Sequence, residues 1–92
     1  MNYEIKYMPV AVNDIADLKR EDVQAYKKVI SLIEEIHKHP RKGIGKPKLL
    51  KYGKFKGLWS RKITNRHRLI YAIKDNEMIV LILSTRGHYD DK

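Results

Sequence analysis

The chain has 92 residues, 42% of them hydrophobic, enough for one domain (1–92) near the lower size limit for a self-sufficient core, so a partner or a second copy is expected to add stability. With no cysteine, a disulfide scaffold and a thiolate metal site are excluded; the residues after Met1 lack the basic and apolar pattern of a signal peptide and no apolar run has bilayer length, so neither a leader nor a helical span is expected and the cytoplasm is the expected compartment. The net charge of +9 is one-sided, six Lys/Arg against seven Asp/Glu in residues 1–39 but fourteen against four in residues 40–92, so the second half is either built to meet a polyanion or carries a solvated lysine-rich surface.

In chain order, Asn2 to Tyr7 alternates as a short strand with Tyr3, Ile5 and Tyr7 on one face. Pro9 suits a first helical turn, and Val10 to Leu18 reads as a helix with Val12, Ile15 and Leu18 aligned. After the polar break Lys19-Arg20-Glu21-Asp22, the residues Val23, Tyr26, Val29, Ile30, Ile33 and Ile36 recur at three- and four-residue steps, with Pro40 just past the end. His37, Lys38 and His39 fall in the last turn, where positive charge complements the helix dipole. Residues 41–57 read as a basic, glycine-rich loop with a short strand near Leu49 to Tyr52. Leu58 to Ile63, His67 to Lys74 and Met78 to His88 read as strands, the last two joined by a turn at Asp75-Asn76. This order predicts an α+β domain, an N-terminal strand and two helices packed on one face of a mainly antiparallel sheet, leaving the other face open.

Three separated blocks carry most of the functional information: Gly45-Lys46-Pro47-Lys48-Leu49-Leu50-Lys51, then Gly57 through Tyr71, then Arg86-Gly87-His88-Tyr89. Together they resemble the Txe/YoeB branch of the RelE-like toxins, small bacterial toxins that cut messenger RNA on the ribosome. The resemblance covers about residues 40–89 and implies a RelE/ParE-like fold. It also implies a ribosome-dependent mRNA endonuclease of a type II toxin-antitoxin pair, held in check by a YefM-like antitoxin. Its partners would be the 70S ribosome and mRNA, and it would form a homodimer.

RNA can be cut without metal or cofactor because its own 2′-hydroxyl can attack the adjacent phosphate. The protein must then supply a base, a cation for the crowded phosphate and an acid for the departing oxygen. By matching positions, the resemblance assigns Arg68 as the catalytic arginine, His88 as the catalytic histidine and Tyr89 as the tyrosine that follows it. Independently, alternation in 67–73 sends His67, Leu69, Tyr71 and Ile73 toward the helices and Arg68 to the open face. For Arg68 the competing reading is a surface ion pair, and for His88-Tyr89 it is a frayed tail. His67 reads as a packed or surface imidazole, and Trp59 as core in preference to a stacking platform.

The family's glutamate after Gly-Lys-Pro is Lys48 here, and a protonated lysine cannot accept the 2′-hydroxyl proton. Three solutions remain open. Lys48 could be held neutral by the like charges of Lys46, Lys51 and Arg68, another group could serve as base with His88 changing role, or orientation and cationic stabilisation could suffice. Lys46, Lys51, Arg61, Lys62, Arg66 and Arg86 are expected to hold phosphate. His37 and His39 lack a third ligand for zinc, and no metal site is expected. The alternative function is a non-catalytic toxin of the same fold that acts by binding the ribosome, its antitoxin or another target such as gyrase.

Overall fold

The computed structural model describes residues 2–87. The elements run β1 (Glu4–Tyr7), α1 (Pro9–Glu21), α2 (Val23–Lys38), β2 (Lys48–Leu49), β3 (Trp59–Lys62), β4 (Arg68–Lys74) and β5 (Ile79–Gly87). Pro9 opens α1, where its missing N–H would have no intrahelical partner. The helix continues through the expected break to Glu21, so Asp22 alone separates the helices. Its carboxylate accepts from Ala25 N at 3.1 Å and caps α2. At the other end His39 N donates to Glu35 O at 2.7 Å before Pro40 stops the helix.

Both helical stripes keep most of their expected residues, Ile15 and Leu18 in α1 and Tyr26, Val29, Ile33 and Ile36 in α2, and differ at their margins. In α1 the inward residues are Ala11, Ile15 and Leu18, while Val12 is 54% exposed. In α2 they are Ala25, Val29, Leu32, Ile33 and Ile36, with Val23 and Ile30 outward. The small residues Ala11 and Ala25 are also buried in the core, and periodicity weighted toward β-branched residues passes over them. Each wholly buried leucine or isoleucine here, such as Leu32, Ile36, Leu69 and Ile82, contributes about 1.5–3 kcal/mol.

The five strands are ordered β1-β5-β4-β3-β2. The pair β1/β5 is parallel and the other three are antiparallel, so the sheet is mixed, the parallel pair joining the two ends of the chain. Cross-strand rows put Ile5, Val80 and Ile73 together, and likewise Tyr7, Ile82, Tyr71, Trp59 and Leu49. All but the edge residues Tyr7 and Leu49 belong to or pack on the core cluster formed with α1 and α2. That face is therefore closed by the helices. Two register shifts interrupt the β4/β5 ladder around Ile70, as bulges do where a strand must bend and re-aim its side chains. Beside them Asp14 of α1 accepts from the amides of Thr85 (3.1 Å) and Arg86 (3.3 Å), fixing the end of β5 to the helix layer.

Candidate nucleic-acid interface

On the face away from the helices, one row reads Lys48, Ser60, Ile70, Ser84 and the next reads Lys62, Arg68, Gly87. Strand spacing and rise put the Cα atoms of Lys48 and Arg68 about 12 Å apart, so their long side chains can converge on one phosphate. Arg68 is half-buried, and its Nη1 donates to Thr64 O at 3.0 Å and, more weakly, His67 O at 3.4 Å. This tether aims the guanidinium while leaving its Nη2 and Nε edge without a partner among the described residues. Lys46, Lys51 and Arg66 are exposed around this face. Among the described residues no carboxylate lies within ion-pair distance of Lys46, Lys48, Lys51, Lys62, Arg66 or Arg68; the ion pairs involve Arg20, Arg41, Arg61 and Arg86. Ser60 and Ile70 in the middle of the first row are covered (3% and 0% exposed), so the accessible part of this face is its cations, whose charge is unpaired among the described residues and would attract a phosphate chain.

Arg61 is a correction to the expected phosphate-holding set. It is 0% exposed and shares the helix-side row with Leu69. All five of its N–H groups can be accounted for: Nε donates to Tyr71 Oη (3.1 Å), Nη1 to Glu35 Oε1 (2.7 Å) and Ile44 O (3.1 Å), and Nη2 to His39 O (2.7 Å) and Lys42 O (2.9 Å). Tyr71 Oη donates in turn to Pro40 O at 2.7 Å. A guanidinium so placed folds the loop 39–45 against the sheet. Gly43 and Gly45 permit that approach, because a Cβ at Gly43 would overlap the Glu35 carboxylate and one at Gly45 would lie 2.8 Å from Leu32 Cδ2. Lys62 N then donates to Gly45 O at 2.7 Å, which sets the chain going into Lys46, itself at φ 51°, and on to Lys48.

The electrostatics of this unit follow from its geometry. Burial alone would raise the Glu35 carboxyl, but the Ile44 N–H and the Arg61 guanidinium outweigh it and hold it below the usual carboxylate range. Burial pushes the Tyr71 phenol up, with Arg61 opposing.

Arg86 also differs from a free phosphate ligand: it reaches back to α1, 3.1 Å from Asp17 and 3.6 Å from Glu21. Trp59 packs against the core as expected, with the Arg41 guanidinium 5.9 Å from its ring centre. His67 is half-buried on the side away from Arg68, and its Nδ1 has no hydrogen-bond partner among the described residues. His37 Nδ1 donates to Tyr3 O at 2.6 Å, and no group of three or more potential metal ligands occurs among the described residues. His88 and Tyr89 lie outside the described residues; Gly87, which precedes them, is the register partner of Arg68.

Glu35, Asp14 and Thr64 were not singled out by the sequence. For Arg61 and Glu35 a signal existed, since alternation from Trp59 puts Arg61 on the core side, where a charge needs a partner. The Thr64 carbonyl acts locally, four residues before Arg68 in the β3–β4 turn, whereas the Asp14 carboxylate reaches Thr85 and Arg86 through tertiary proximity alone.

The family model for the YoeB-like toxin of bacterial type II toxin-antitoxin systems matches residues 7–89. The toxin YoeB of Escherichia coli K12 is 43% identical over 68 residues, 74% of this chain and 77% of the relative. Among solved structures, a YoeB/ParE toxin from Agrobacterium tumefaciens superimposes with a TM-score of 0.85 at 29% identity, covering 94% of this chain and 99% of that one. The Staphylococcus aureus toxin is similar both as a YoeB dimer (TM-score 0.81, 33% identity) and in a heterotetrameric YoeB-YefM complex (TM-score 0.78, 31% identity). Each covers 97% of this chain and 100% of the other.

Proposed function

We propose that this chain, which belongs to the YoeB-like toxins of bacterial type II toxin-antitoxin systems, is a ribosome-dependent mRNA endonuclease. The observation that carries the reading is the pair of adjacent cross-strand rows holding Lys48, Lys62 and Arg68 on the helix-free face, with no carboxylate partner among the described residues.

In this reading the message lies across that face with a phosphate between Arg68 and Lys48. The ribose 2′-hydroxyl attacks phosphorus and gives its proton to a base, while the P–O5′ bond breaks and His88 protonates the departing 5′-oxygen. The products are a 2′,3′-cyclic phosphate and a 5′-hydroxyl end. Arg68 acts on the equatorial oxygens, where a planar, permanently charged fork is most useful. Tyr89 would lie against a flanking base. Lys48 occupies the place of the family's glutamate, either as the proton acceptor or as a second clamp on the phosphate; orientation of the message by the ribosome would supply the rest of the rate. Gly87 opposite Arg68 supports the role of His88, one peptide bond further on.

A YefM-like antitoxin and a second copy of the chain are the proposed partners, as in the S. aureus complexes. An acidic segment folding over the open face would be favoured by its charge. Lys48 in place of glutamate favours a second reading, a toxin that occupies its target without cutting. Induced expression in a susceptible host separates the two: growth arrest lost in both Arg68→Ala and His88→Ala supports the nuclease, and arrest retained by both variants supports the binder.

A further inference from the structure

Beyond β2 the chain makes a small closed loop, Lys51-Tyr52-Gly53-Lys54-Phe55-Lys56. Four backbone hydrogen bonds hold it: Leu50 N to Leu58 O (2.8 Å), Gly57 N to Leu50 O (2.8 Å), Lys56 N to Gly53 O (3.1 Å) and Leu58 N to Phe55 O (3.0 Å). Leu50 beneath is buried, and Gly53 at φ +76° makes the turn that an L side chain would resist. Tyr52 stands on this ordered base 85% exposed, by far the most exposed large hydrophobic residue of those described. Burial, core packing and hydrogen bonding within the fold do not explain an aromatic ring there. Lys51, Lys54 and Lys56 surround it in sequence and are exposed, and none lies within ion-pair distance of a described carboxylate. The Lys54 ammonium sits 5.3 Å from the Phe55 ring centre, which leaves the Tyr52 ring uncovered.

The position matters as much as the composition. Arg68 on β4, Lys62 on β3 and Lys48 on β2 form a diagonal of cations, Lys48 lying two rows nearer than Lys62 to the closed end of the β2/β3 hairpin, and the 51–56 loop is that end. A strand held by its phosphates along the diagonal would bring the bases of neighbouring nucleotides over the loop. Interleaved lysines and an exposed aromatic face are what single-stranded RNA binds, the cations taking phosphates and the ring taking a base.

We propose that the 51–56 loop is a nucleotide-binding subsite in which Tyr52 stacks on an unpaired base of the RNA strand lying on the cationic face, with Lys51 and Lys54 holding the adjoining phosphates. The inference rests on the RNA-cutting reading for the direction of the strand, but its test does not require cutting. Short single-stranded RNA carrying 2-aminopurine at successive positions is titrated with the free wild-type chain, Tyr52→Phe, Tyr52→Ala and Lys51→Ala, following affinity by anisotropy and stacking by quenching of the 2-aminopurine. Tyr52→Ala should weaken binding about tenfold, the scale of one lost base–aromatic stack. It should abolish the quenching at one position and leave the salt dependence unchanged. Tyr52→Phe should bind within about twofold of wild type and keep the quenching, and Lys51→Ala should lower the salt slope by about one phosphate contact. The subsite is overturned if wild type shows no saturable binding, or if Tyr52→Ala binds and quenches like wild type. It is also overturned if Tyr52→Phe fails like Tyr52→Ala, or if Tyr52→Ala weakens only dimerisation or antitoxin binding. A Tyr52-dependent stack in a protein that leaves ribosome-bound message intact would refute the nuclease and keep the subsite.

Discussion

Replacing Tyr71 by phenylalanine removes a single oxygen from the middle of the unit that positions the Lys46–Lys48 segment. That oxygen accepts from Arg61 Nε at 3.1 Å and donates to Pro40 O at 2.7 Å, and Tyr71 and Arg61 are both 0% exposed, with Pro40 also buried. The ring stays, so no cavity opens; the loss is two buried groups left without partners, one of them on a cation. Each orphaned group costs about 1–3 kcal/mol, and allowing for partial relaxation the variant should lose about 2–4 kcal/mol. For a domain of this size each kcal/mol lowers the melting temperature by about 4–8 °C, so the midpoint should fall by roughly 10–30 °C. Urea unfolding followed by circular dichroism should show a lower midpoint with an unchanged slope, the sign of lost stability without a change in the surface exposed. A loss below about 0.5 kcal/mol would show that Arg61 and Pro40 find other partners and that the hydroxyl does not hold the loop.

Gly45→Ala should cost about 2–4 kcal/mol, from φ +82° and contacts of 2.8 Å to Leu32 and 3.2 Å to the Lys62 carbonyl. Gly57→Ala, at φ +88° with nothing within 4 Å, should cost only about 1 kcal/mol; equal melting shifts would contradict the packing argument. Glu35 has its folded-state pKa depressed, so its contribution is present above the ordinary carboxylate value and fades as pH falls through the depressed one. The stability gap between wild type and Glu35→Gln, measured by urea titration across the acid range, should therefore close toward low pH. A gap that stays constant would remove the ion pair from the explanation. If Lys48 is the proton acceptor or an essential phosphate clamp, Lys48→Ala should slow cleavage about a hundredfold or more in single-turnover assays, and near-normal cleavage would rule out both roles.

The strands were readable because their alternation was strong: Leu69 and Tyr71 inward and Arg68 outward follow from period two alone. The extent of α2 was readable and that of α1 less so, since α1 runs on through the expected break to Glu21; the faces were legible in part, since Ala11 and Ala25 are buried while carrying little hydrophobic signal. Arg61 was misread because charge suggested surface, although its place two residues from Trp59 on one face argued for the core; the five acceptors that make burial tolerable come from α2, β4 and the loop 39–44, which a local reading cannot bring together. The parallel pairing of β1 with β5 is likewise a long-range event, settled by tertiary packing. The Gly-Lys-Pro block and the Arg68 strand were legible as short segments, whereas their convergence on one face depends on the register through β3.

The decisive experiment adds the purified chain to 70S ribosomes programmed with a defined message and maps new RNA ends by primer extension, alongside naked message and the Arg68→Ala and His88→Ala variants. A ribosome-dependent cut that disappears in both variants is the expected result. Stalled translation on intact message, or a cut that persists without Arg68, would contradict the assignment of the helix-free face as a cleavage site.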